Sequence, residues 1–282
     1  MRYVELGKTG EKIPVLGQGL WGVSRLKGFF KGSNYYEIIK SALRKGIELG
    51  MTHIDTAEFY GLGKAEKVLG ELIKEYPRDN LFITSKLFPI HFRKNSMKKA
   101  AIRSLKRLGI DYLDLYLIHW PSKFISIKKE MNVLEALVNN GMTRYIGVSN
   151  FSVKQFKKAQ DSLKKEELVN NQLHINITNQ RYIHKSLSYY QRNGITVTAY
   201  SPLAHKGYTK LGGKIREVLE NFAIKYNSTI QQIAIAWLIN HENIITIPKA
   251  FNRDHVEDNA KAADINFLQE DLQQLYKFGE FH

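Results

Sequence analysis

The sequence contains no cysteine. This absence excludes disulfides, thiol nucleophiles, zinc ribbons and iron–sulfur ligation, and it fits a reducing compartment. Long hydrophobic runs are also missing, because the longest strictly apolar stretch covers only residues 233–239, whereas a bilayer span needs about 20 residues. The first ten residues are charged and lack the apolar region of a signal peptide. We therefore expect a cytoplasmic protein with no membrane partner.

No linker rich in proline, glycine or serine interrupts the chain. Its 282 residues are 43 % apolar and 24 % charged, which is the composition of a globular protein. An α/β barrel of about 250 residues folds as one domain. We predict a single domain over residues 1–282, and no segment of it marks an oligomer interface.

Acidic residues are comparatively few. The 42 lysines and arginines exceed the 27 aspartates and glutamates, which gives a net charge of +15. Residues 86–110 contain eight basic residues and no acidic one. A solvated helix face explains such a run, and nucleic-acid binding through it is the alternative, which predicts salt-sensitive association. No aromatic RNA platform, basic zipper or zinc finger accompanies the run, so no nucleic-acid partner is expected.

Short apolar runs alternate with longer helical patterns along the chain. Strands are predicted at 16–19, 51–54, 81–85, 113–118, 143–148, 168–172, 195–199 and 244–247. Helices are predicted at 35–49, 64–76, 96–108, 131–140, 153–162, 185–192, 215–226, 229–240 and 253–262, with a last helical segment in 267–282. This alternation predicts the α/β class and a (β/α)8 TIM barrel. Residues 4–6 and 13–15, on either side of a turn, predict an N-terminal β-hairpin that caps the barrel bottom.

Two patterns suggest other sites. Residues 17–22 match the GxGxxG dinucleotide fingerprint, but a loop follows instead of a helix, so we reject a Rossmann fold. His53 and Asp55 alternate on one predicted strand as metal ligands do in some barrel hydrolases. Only His119 offers a clear further ligand, so no metal is expected.

Polar side chains follow three neighbouring predicted strands. Asp55 ends the second strand and Tyr60 lies in the next loop, while Lys86 and His119 end the third and fourth strands. The carboxyl ends of barrel strands converge on one face, where catalysis occurs. We therefore expect these four residues on one rim.

This set of residues suits the protonation of a carbonyl group. An ammonium near a phenol favours the phenolate, so Lys86 is expected to lower the pKa of Tyr60 and ease proton donation. Asp55 keeps Lys86 charged, and His119 can hydrogen-bond a substrate oxygen. The set lacks an electron source. Without cysteine or a metal site, the sequence indicates an organic hydride donor.

Four segments carry a resemblance to a known family. They are Asp-Thr-Ala-Glu-Phe-Tyr-Gly at 55–61, Leu-Tyr-Leu-Ile-His-Trp-Pro at 115–121, Ile-Gly-Val-Ser-Asn-Phe at 146–151 and Ile-Pro-Lys at 247–249. In order and spacing the chain resembles the aldo-keto reductase superfamily over essentially its whole length. The resemblance implies a monomer with NADPH lying extended across the barrel mouth. It also implies that Tyr60 is the general acid, that Asp55 and Lys86 tune it, and that His119 orients the carbonyl.

The same resemblance implies a series of cofactor contacts. From the nicotinamide to the adenine they are Ser149, Asn150 and Gln172 at the carboxamide, Tyr200 stacked on the ring, Ser201 and Leu203 beside the pyrophosphate, Lys249 on the 2′-phosphate and Asn259 at the adenine.

The chain departs from the family pattern at two places. Ala250 stands where serine or threonine is common, and His255 stands where arginine is common. A neutral histidine is a poorer anion partner than arginine, although the displaced Arg253 can reach the same phosphate. We therefore expect a preference for NADPH with NADH as a possible second cofactor. The segment 173–176 lacks the glutamate that many relatives carry.

The resemblance places Trp21, Phe88 and Trp120 around the substrate, with Phe59 as a further candidate. Aromatic residues here suit a small or moderately apolar aldehyde, although they also fill cores. The short segment 121–131 predicts an open mouth and broad specificity. The leading hypothesis is NAD(P)H-dependent reduction of aldehydes, with dicarbonyls, ketones and sugars as further substrate classes. The alternative is a nucleotide-binding regulatory module of the same fold with slow turnover.

Overall fold

The structure is a computed structural model, and it describes residues 1–24, 32, 34–91, 93–204 and 213–277. The strands are β1 (Tyr3–Glu5), β2 (Lys12–Pro14), β3 (Gln18–Gly19), β4 (His53–Asp55), β5 (Phe82–Leu87), β6 (Leu113–Ile118), β7 (Thr143–Ser149), β8 (Leu168–His174), β9 (Thr196–Tyr200) and β10 (Ile244–Thr246). The α-helices are α1 (Asn34–Glu48), α2 (Lys64–Ile73), α3 (Lys94–Leu108), α4 (Ile127–Asn139), α5 (Val153–Gln160), α6 (Arg181–Asn193), α7 (Gly213–Lys225), α8 (Ile230–Ile239), α9 (Arg253–Lys261) and α10 (Gln269–Lys277).

Strands β3 to β10 form one parallel sheet in which each strand pairs with the next along the chain. The sheet closes on itself where Leu16 bridges Thr246. The backbone N–H of Gly17 donates to the Thr246 carbonyl at 2.8 Å, and the Thr246 N–H donates to the Val15 carbonyl at 2.9 Å. The predicted (β/α)8 barrel is confirmed.

The predicted hairpin is also confirmed. Strands β1 and β2 pair antiparallel, with Tyr3 opposite Pro14 and Glu5 opposite Lys12. The turn between them reaches the start of β9, where the Gly7 N–H donates to Thr196 Oγ1 at 2.8 Å. The hairpin therefore lies at the N-terminal ends of the barrel strands, on the face opposite the carboxyl ends.

The barrel interior contains both apolar and polar side chains. An apolar cluster is formed by Leu6, Ile13, Phe82, Leu115, Leu117, Val169 and Ile245. Buried polar pairs such as Asn170 with Thr198 lie deeper in the barrel, and Asp55, Lys86 and Gln172 are buried near the carboxyl ends of the strands. Buried polar groups need hydrogen-bond partners, so these side chains must satisfy one another.

The GxGxxG match lies in and around β3 rather than in a nucleotide-binding turn. A Cβ on Gly17 would lie 2.7 Å from the His53 carbonyl oxygen, and one on Gly19 would lie 2.8 Å from the Ile247 carbonyl oxygen. These glycines let the first barrel strand approach both of its neighbours. The pattern therefore has a packing cause, and the rejection of a Rossmann fold agrees with the barrel.

Several helix boundaries differ from their predictions. Helix α4 begins at Ile127 rather than 131, and α6 begins at Arg181 rather than 185. The first turn of α4 includes the exposed Lys128 and Lys129, so it has little apolar periodicity to mark it. The last predicted segment contains α10, and its residues 278–282 lie outside the described residues.

Candidate active site

Strand register brings the predicted catalytic residues together. Asp55 pairs with Thr84 across β4 and β5, and Lys86 pairs with Leu117 across β5 and β6. His119 directly follows β6, and its N–H donates to the Leu87 carbonyl at 2.9 Å. Adjacent parallel strands thus deliver the side chains to one rim, as the sequence predicted.

A buried ion pair forms the base of the site. Lys86 Nζ lies 2.5 Å from Asp55 Oδ1, and both side chains are inaccessible to solvent. The ammonium also donates to the Thr56 carbonyl at 2.9 Å and to the Tyr60 hydroxyl oxygen at 3.3 Å. Gln172 Nε2 donates to the other Asp55 oxygen at 2.8 Å. All three ammonium hydrogens and both carboxylate oxygens therefore have partners, which buried charges require.

The pKa of Tyr60 moves in the opposite direction to the one expected from Lys86. Burial raises the pKa of Tyr60 well above its usual value, and the Asp55 carboxylate adds to the increase. The expected lowering is wrong because Asp55 offsets the lysine charge at 2.5 Å, which leaves desolvation of the phenolate as the larger effect. Tyr60 therefore holds its proton at neutral pH, as a proton donor must.

His119 is neutral at physiological pH. Burial lowers its pKa to about 3, and the Lys86 charge contributes to the decrease. The ring meets Tyr60 edge to face, with ring centroids 5.8 Å apart, and contacts Phe88 in the same way. Its Nδ1 is buried with no hydrogen-bond partner among the described residues. A neutral imidazole beside the phenol can donate a hydrogen bond to a substrate oxygen.

Hydrogen bonds extend the site across the next three strands. The Tyr200 hydroxyl donates to Asn150 Oδ1 at 2.9 Å, and Asn150 Nδ2 donates to the His119 carbonyl at 3.1 Å and to Ser149 Oγ at 3.0 Å. Ser149 Oγ in turn donates to the Gln172 carbonyl at 2.9 Å. Burial raises the pKa of Tyr200 to about 12, so its hydroxyl remains a donor. These residues form one connected polar wall.

A cavity of about 380 Å³ opens at this face of the barrel. Its wall contains Gly19, Trp21, Asp55, Phe59, Tyr60, Phe88, His119, Trp120, Ser149, Asn150, Gln172, His174, Tyr200, Ser201, Ile247 and Lys249. Every residue expected around the substrate is among them, and Lys86 lies directly behind Asp55 and Tyr60. Phe59 and Phe88 stack with ring centroids 4.1 Å apart, which gives the mouth an aromatic side.

Five of the expected cofactor contacts lie outside the cavity wall: Leu203, Ala250, Arg253, His255 and Asn259. Leu203 and Ala250 pack partly buried against the core, and Asn259 is buried on α9. Arg253 and His255 are exposed at the start of α9, where Arg253 Nη1 contacts Ser41 Oγ at 3.4 Å. The structure therefore brings Lys249 to the cavity, and contacts of the other five with a cofactor stay predictions.

Sequence reasoning missed three residues of the wall, namely His174, Gly19 and Ile247. His174 is the last residue of β8, two positions after Gln172. Residues two apart on a strand point to the same side of the sheet. That period would have placed His174 beside Gln172.

The other candidate sites have structural explanations. His53 Nε2 lies 3.0 Å from Thr84 Oγ1 in the barrel interior, and burial lowers its pKa to about 4. In the portion of the chain that the structure describes, no three His, Asp or Glu side chains meet as metal ligands. Within the same residues, no helix combines the length and apolar character needed to cross a bilayer.

The basic run 86–110 does not form a single surface. Lys86 is buried on Asp55, and Arg107 Nε donates to the buried Glu66 at 2.6 Å. The exposed remainder lies mainly on α3, with Lys98, Lys99, Arg103 and Lys106 turned to solvent. Part of the run is therefore internal ion pairing, and the rest is a solvated helix face.

The fold and this site define a class: an α/β barrel with a protonated tyrosine and a neutral histidine on the wall of a cavity at the carboxyl ends of its strands. A family model described as "Aldo/keto reductase family" matches residues 15–280. The chain belongs to the aldo/keto reductase family of oxidoreductases, which confirms the resemblance seen in the sequence.

Characterised relatives extend over nearly the whole chain. Methylglyoxal reductase YeaE of Escherichia coli is 33 % identical over 265 residues, which cover 94 % of this chain and 90 % of that protein. A glyoxal reductase of Bacillus subtilis is 33 % identical over 272 residues, covering 95 % and 89 %.

Solved structures agree with the fold. The thermostable aldo-keto reductase Tm1743, crystallised with the inhibitor epalrestat, superposes with a TM-score of 0.90 at 38 % identity, covering 99 % of this chain and 100 % of that one. An aldo/keto reductase of Klebsiella pneumoniae in complex with NADP and acetate gives a TM-score of 0.87 at 34 % identity, covering 98 % and 94 %.

Proposed function

We propose that the protein reduces aldehydes to alcohols with a nicotinamide cofactor and Tyr60 as general acid. One observation carries the proposal: the Tyr60 hydroxyl lies on the cavity wall, 3.3 Å from the Lys86 ammonium and beside a neutral His119. Small 2-oxoaldehydes are a fitting substrate class, because relatives are named methylglyoxal and glyoxal reductases. The aromatic side of the cavity suits a compact carbonyl compound.

The residues of the cavity fit a nicotinamide. Tyr200 offers an aromatic face, and Ser149, Asn150 and Gln172 offer amide and hydroxyl groups that match a carboxamide. Lys249 is exposed at the cavity and places a cation where a phosphate group can lie. Neighbouring solved structures contain NADP or NADPH. When bound, the reduced cofactor supplies a hydride.

The protein's part of the reaction is to place and move a proton. A neutral His119 orients the carbonyl oxygen toward the Tyr60 hydroxyl, which gives its proton to the oxygen as negative charge develops there. The phenolate left on Tyr60 is stabilised by the Lys86 ammonium 3.3 Å away. Asp55 holds that ammonium in place and keeps it charged although the lysine is fully buried.

We further propose that NADPH is preferred and that NADH is also used. Lys249 attracts the 2′-phosphate, but the neighbouring Ala250 lacks a hydroxyl and His255 lacks the fixed charge of arginine. Without a bidentate arginine contact to the 2′-phosphate, the protein discriminates less strongly between NADPH and NADH. Arg253 is exposed at the start of α9, and its guanidinium is the candidate to replace part of the missing phosphate contact.

The test follows the absorbance of the reduced nicotinamide on mixing the protein with NADPH or NADH and a panel of small aldehydes. Oxidation that requires both protein and aldehyde is the expected result, with faster turnover for NADPH. Tight nucleotide binding without turnover would replace the reductase proposal with the regulatory module. Tyr60→Phe serves as the inactive control for contaminating reductases.

A further inference from the structure

His174 and Tyr200 form a stacked pair at the edge of the cavity. They end the adjacent strands β8 and β9 and are register partners in that strand pair. Their ring centroids lie 5.2 Å apart with an interplanar angle of 14°. Both side chains line the cavity, and the proposed nicotinamide site uses only Tyr200. His174 therefore contacts the aromatic platform but has not yet been given a role.

Two amides hold the His174 ring at its two nitrogens: Asn179 Nδ2 lies 3.2 Å from Nδ1, and the Nε2 side faces Asn176. Its Oδ1 accepts from the Thr178 N–H at 3.1 Å and from Thr178 Oγ1 at 2.8 Å, so its amide NH₂ must face the other way. That NH₂ lies 3.3 Å from His174 Nε2 and donates to the Ser201 carbonyl at 3.1 Å. Asn176 is itself 1 % exposed. Amides thus contact both ring nitrogens of His174, and the amide of Asn176 also holds the residue that follows Tyr200.

Tyr200 needs two constraints to present a fixed ring. Its hydroxyl donates to Asn150 Oδ1 at 2.9 Å. This bond holds the tip of the side chain but leaves the ring free to turn about its Cβ–Cγ axis. Stacking on His174 fixes the plane. Ser201 stands at a φ of 54°, and its carbonyl is held by Asn176. The backbone beside Tyr200 is therefore anchored as well.

We propose that His174 is a positioning residue for the nicotinamide ring, acting through the plane of Tyr200. A ring held in one plane before the cofactor arrives loses less conformational freedom on binding, so a preorganised platform binds more tightly. The inference rests on the proposed function, because it assumes that the nicotinamide stacks on Tyr200.

The test compares two substitutions at one position and two ligands. His174→Ala removes the stacked ring, whereas His174→Phe keeps a flat ring beside Tyr200. We expect His174→Ala to raise the dissociation constant of NADPH roughly threefold to tenfold, and His174→Phe to change it less than about twofold. Adenosine 2′,5′-bisphosphate, which has no nicotinamide, should bind all three proteins equally. Fluorescence titration and calorimetry give these constants, and a melting curve of each variant confirms that it is folded.

Three results would overturn the inference: unchanged NADPH affinity in His174→Ala, equal weakening in both variants, or a parallel loss of bisphosphate binding. The last of these would indicate a general structural defect. The two proposals fail in different ways. If the unsubstituted protein binds NADPH and reduces aldehydes while His174→Ala matches it, only the role of His174 falls. If the unsubstituted protein binds no reduced dinucleotide, the proposed function is wrong, and the role of His174, which depends on it, is wrong as well.

Discussion

At the residue scale, the site depends on one buried ammonium with three acceptors. Lys86 serves Asp55, a backbone carbonyl and Tyr60 at the same time. Because its charge is largely offset by Asp55, the tyrosine keeps its proton in the resting protein. In the proposed mechanism the ammonium acts only when the phenolate forms, which is the differential stabilisation that lowers a barrier.

Replacing Tyr60 with phenylalanine should separate chemistry from binding. Tyr60→Phe removes the proton donor while keeping the ring beside His119, so kcat should fall at least about a hundredfold. The dissociation constant of NADPH should change little, because the assigned cofactor contacts lie on other residues. Steady-state kinetics and fluorescence titration measure the two quantities.

Tyr3→Phe is the matched control, because Tyr3 is 51 % exposed on the hairpin at the opposite face. It should retain full activity. Reduction by Tyr60→Phe at the rate of this control would remove Tyr60 from the mechanism.

The low pKa of His119 leads to a pH prediction. A histidine with the usual value of 6.5 would lose activity as it protonates in mild acid, whereas a pKa of about 3 keeps it neutral there. We expect kcat/KM for aldehyde reduction to show no acidic limb between about pH 8 and about pH 5. An acidic limb centred near pH 6.5 would mean that the histidine is hydrated and titrates normally.

At the element scale, the ends of the strands matter more than the helices between them. All eight barrel strands, β3 to β10, supply the wall of the cavity through residues at or just after their carboxyl ends. Helix α9 carries the exposed Arg253 and His255 in its first turn, outside this wall. Asn252 caps this helix by accepting from the Asp254 N–H at 2.7 Å. A capped, exposed first turn is a position from which side chains can reach an anionic ligand.

His255→Arg should increase the preference for NADPH. The added guanidinium gains a charge-assisted contact with the 2′-phosphate that NADH lacks. Because the position is solvent-exposed, the ratio of kcat/KM for NADPH to that for NADH should rise roughly twofold to fivefold. His255→Gln, which adds no charge, should leave the ratio unchanged. An arginine variant that matched the glutamine variant would place the phosphate elsewhere.

At the scale of the whole molecule, the barrel interior combines apolar packing with buried polar contacts. Asp55 contacts both Lys86 and Gln172, and these hydrogen bonds cross the interior and link β4, β5 and β8. Breaking such a pair leaves an uncompensated buried charge. The proposed catalytic centre is therefore also part of the stabilising core.

Lys86→Met should lower the free energy of unfolding by roughly 3–5 kcal/mol, because the Asp55 carboxylate loses its counter-ion. The double variant Lys86→Met/Asp55→Asn removes both charges, and it should recover much of this loss without recovering activity. Chemical denaturation gives the free energies. A single variant as stable as the unsubstituted protein would show that Asp55 is hydrated or protonated in the fold.

Much of the architecture was predictable because short stretches of the sequence specify it. Alternating apolar runs placed the barrel strands, and the polar residues at their ends located Asp55, Tyr60, Lys86 and His119. Boundaries were less predictable: α4 begins with a polar turn, so its first residues carried no helical signal. His174 was missed for a related reason, since the strand was expected to end at 172, two residues too early.

By itself the sequence determined the fold class, the family and the identity of the rim residues, because each depends on the order of residues along the chain. Only the tertiary structure decided how those residues behave. The direction in which the pKa of Tyr60 shifts depends on desolvation and on the Asp55 carboxylate. Asp55 is in turn hydrogen-bonded to Gln172, 117 residues away in the sequence. The division of the basic run into buried pairs and solvated face depends likewise on Glu66 lying beside Arg107. Electrostatic effects act through space, and distances in space are set only when the barrel closes.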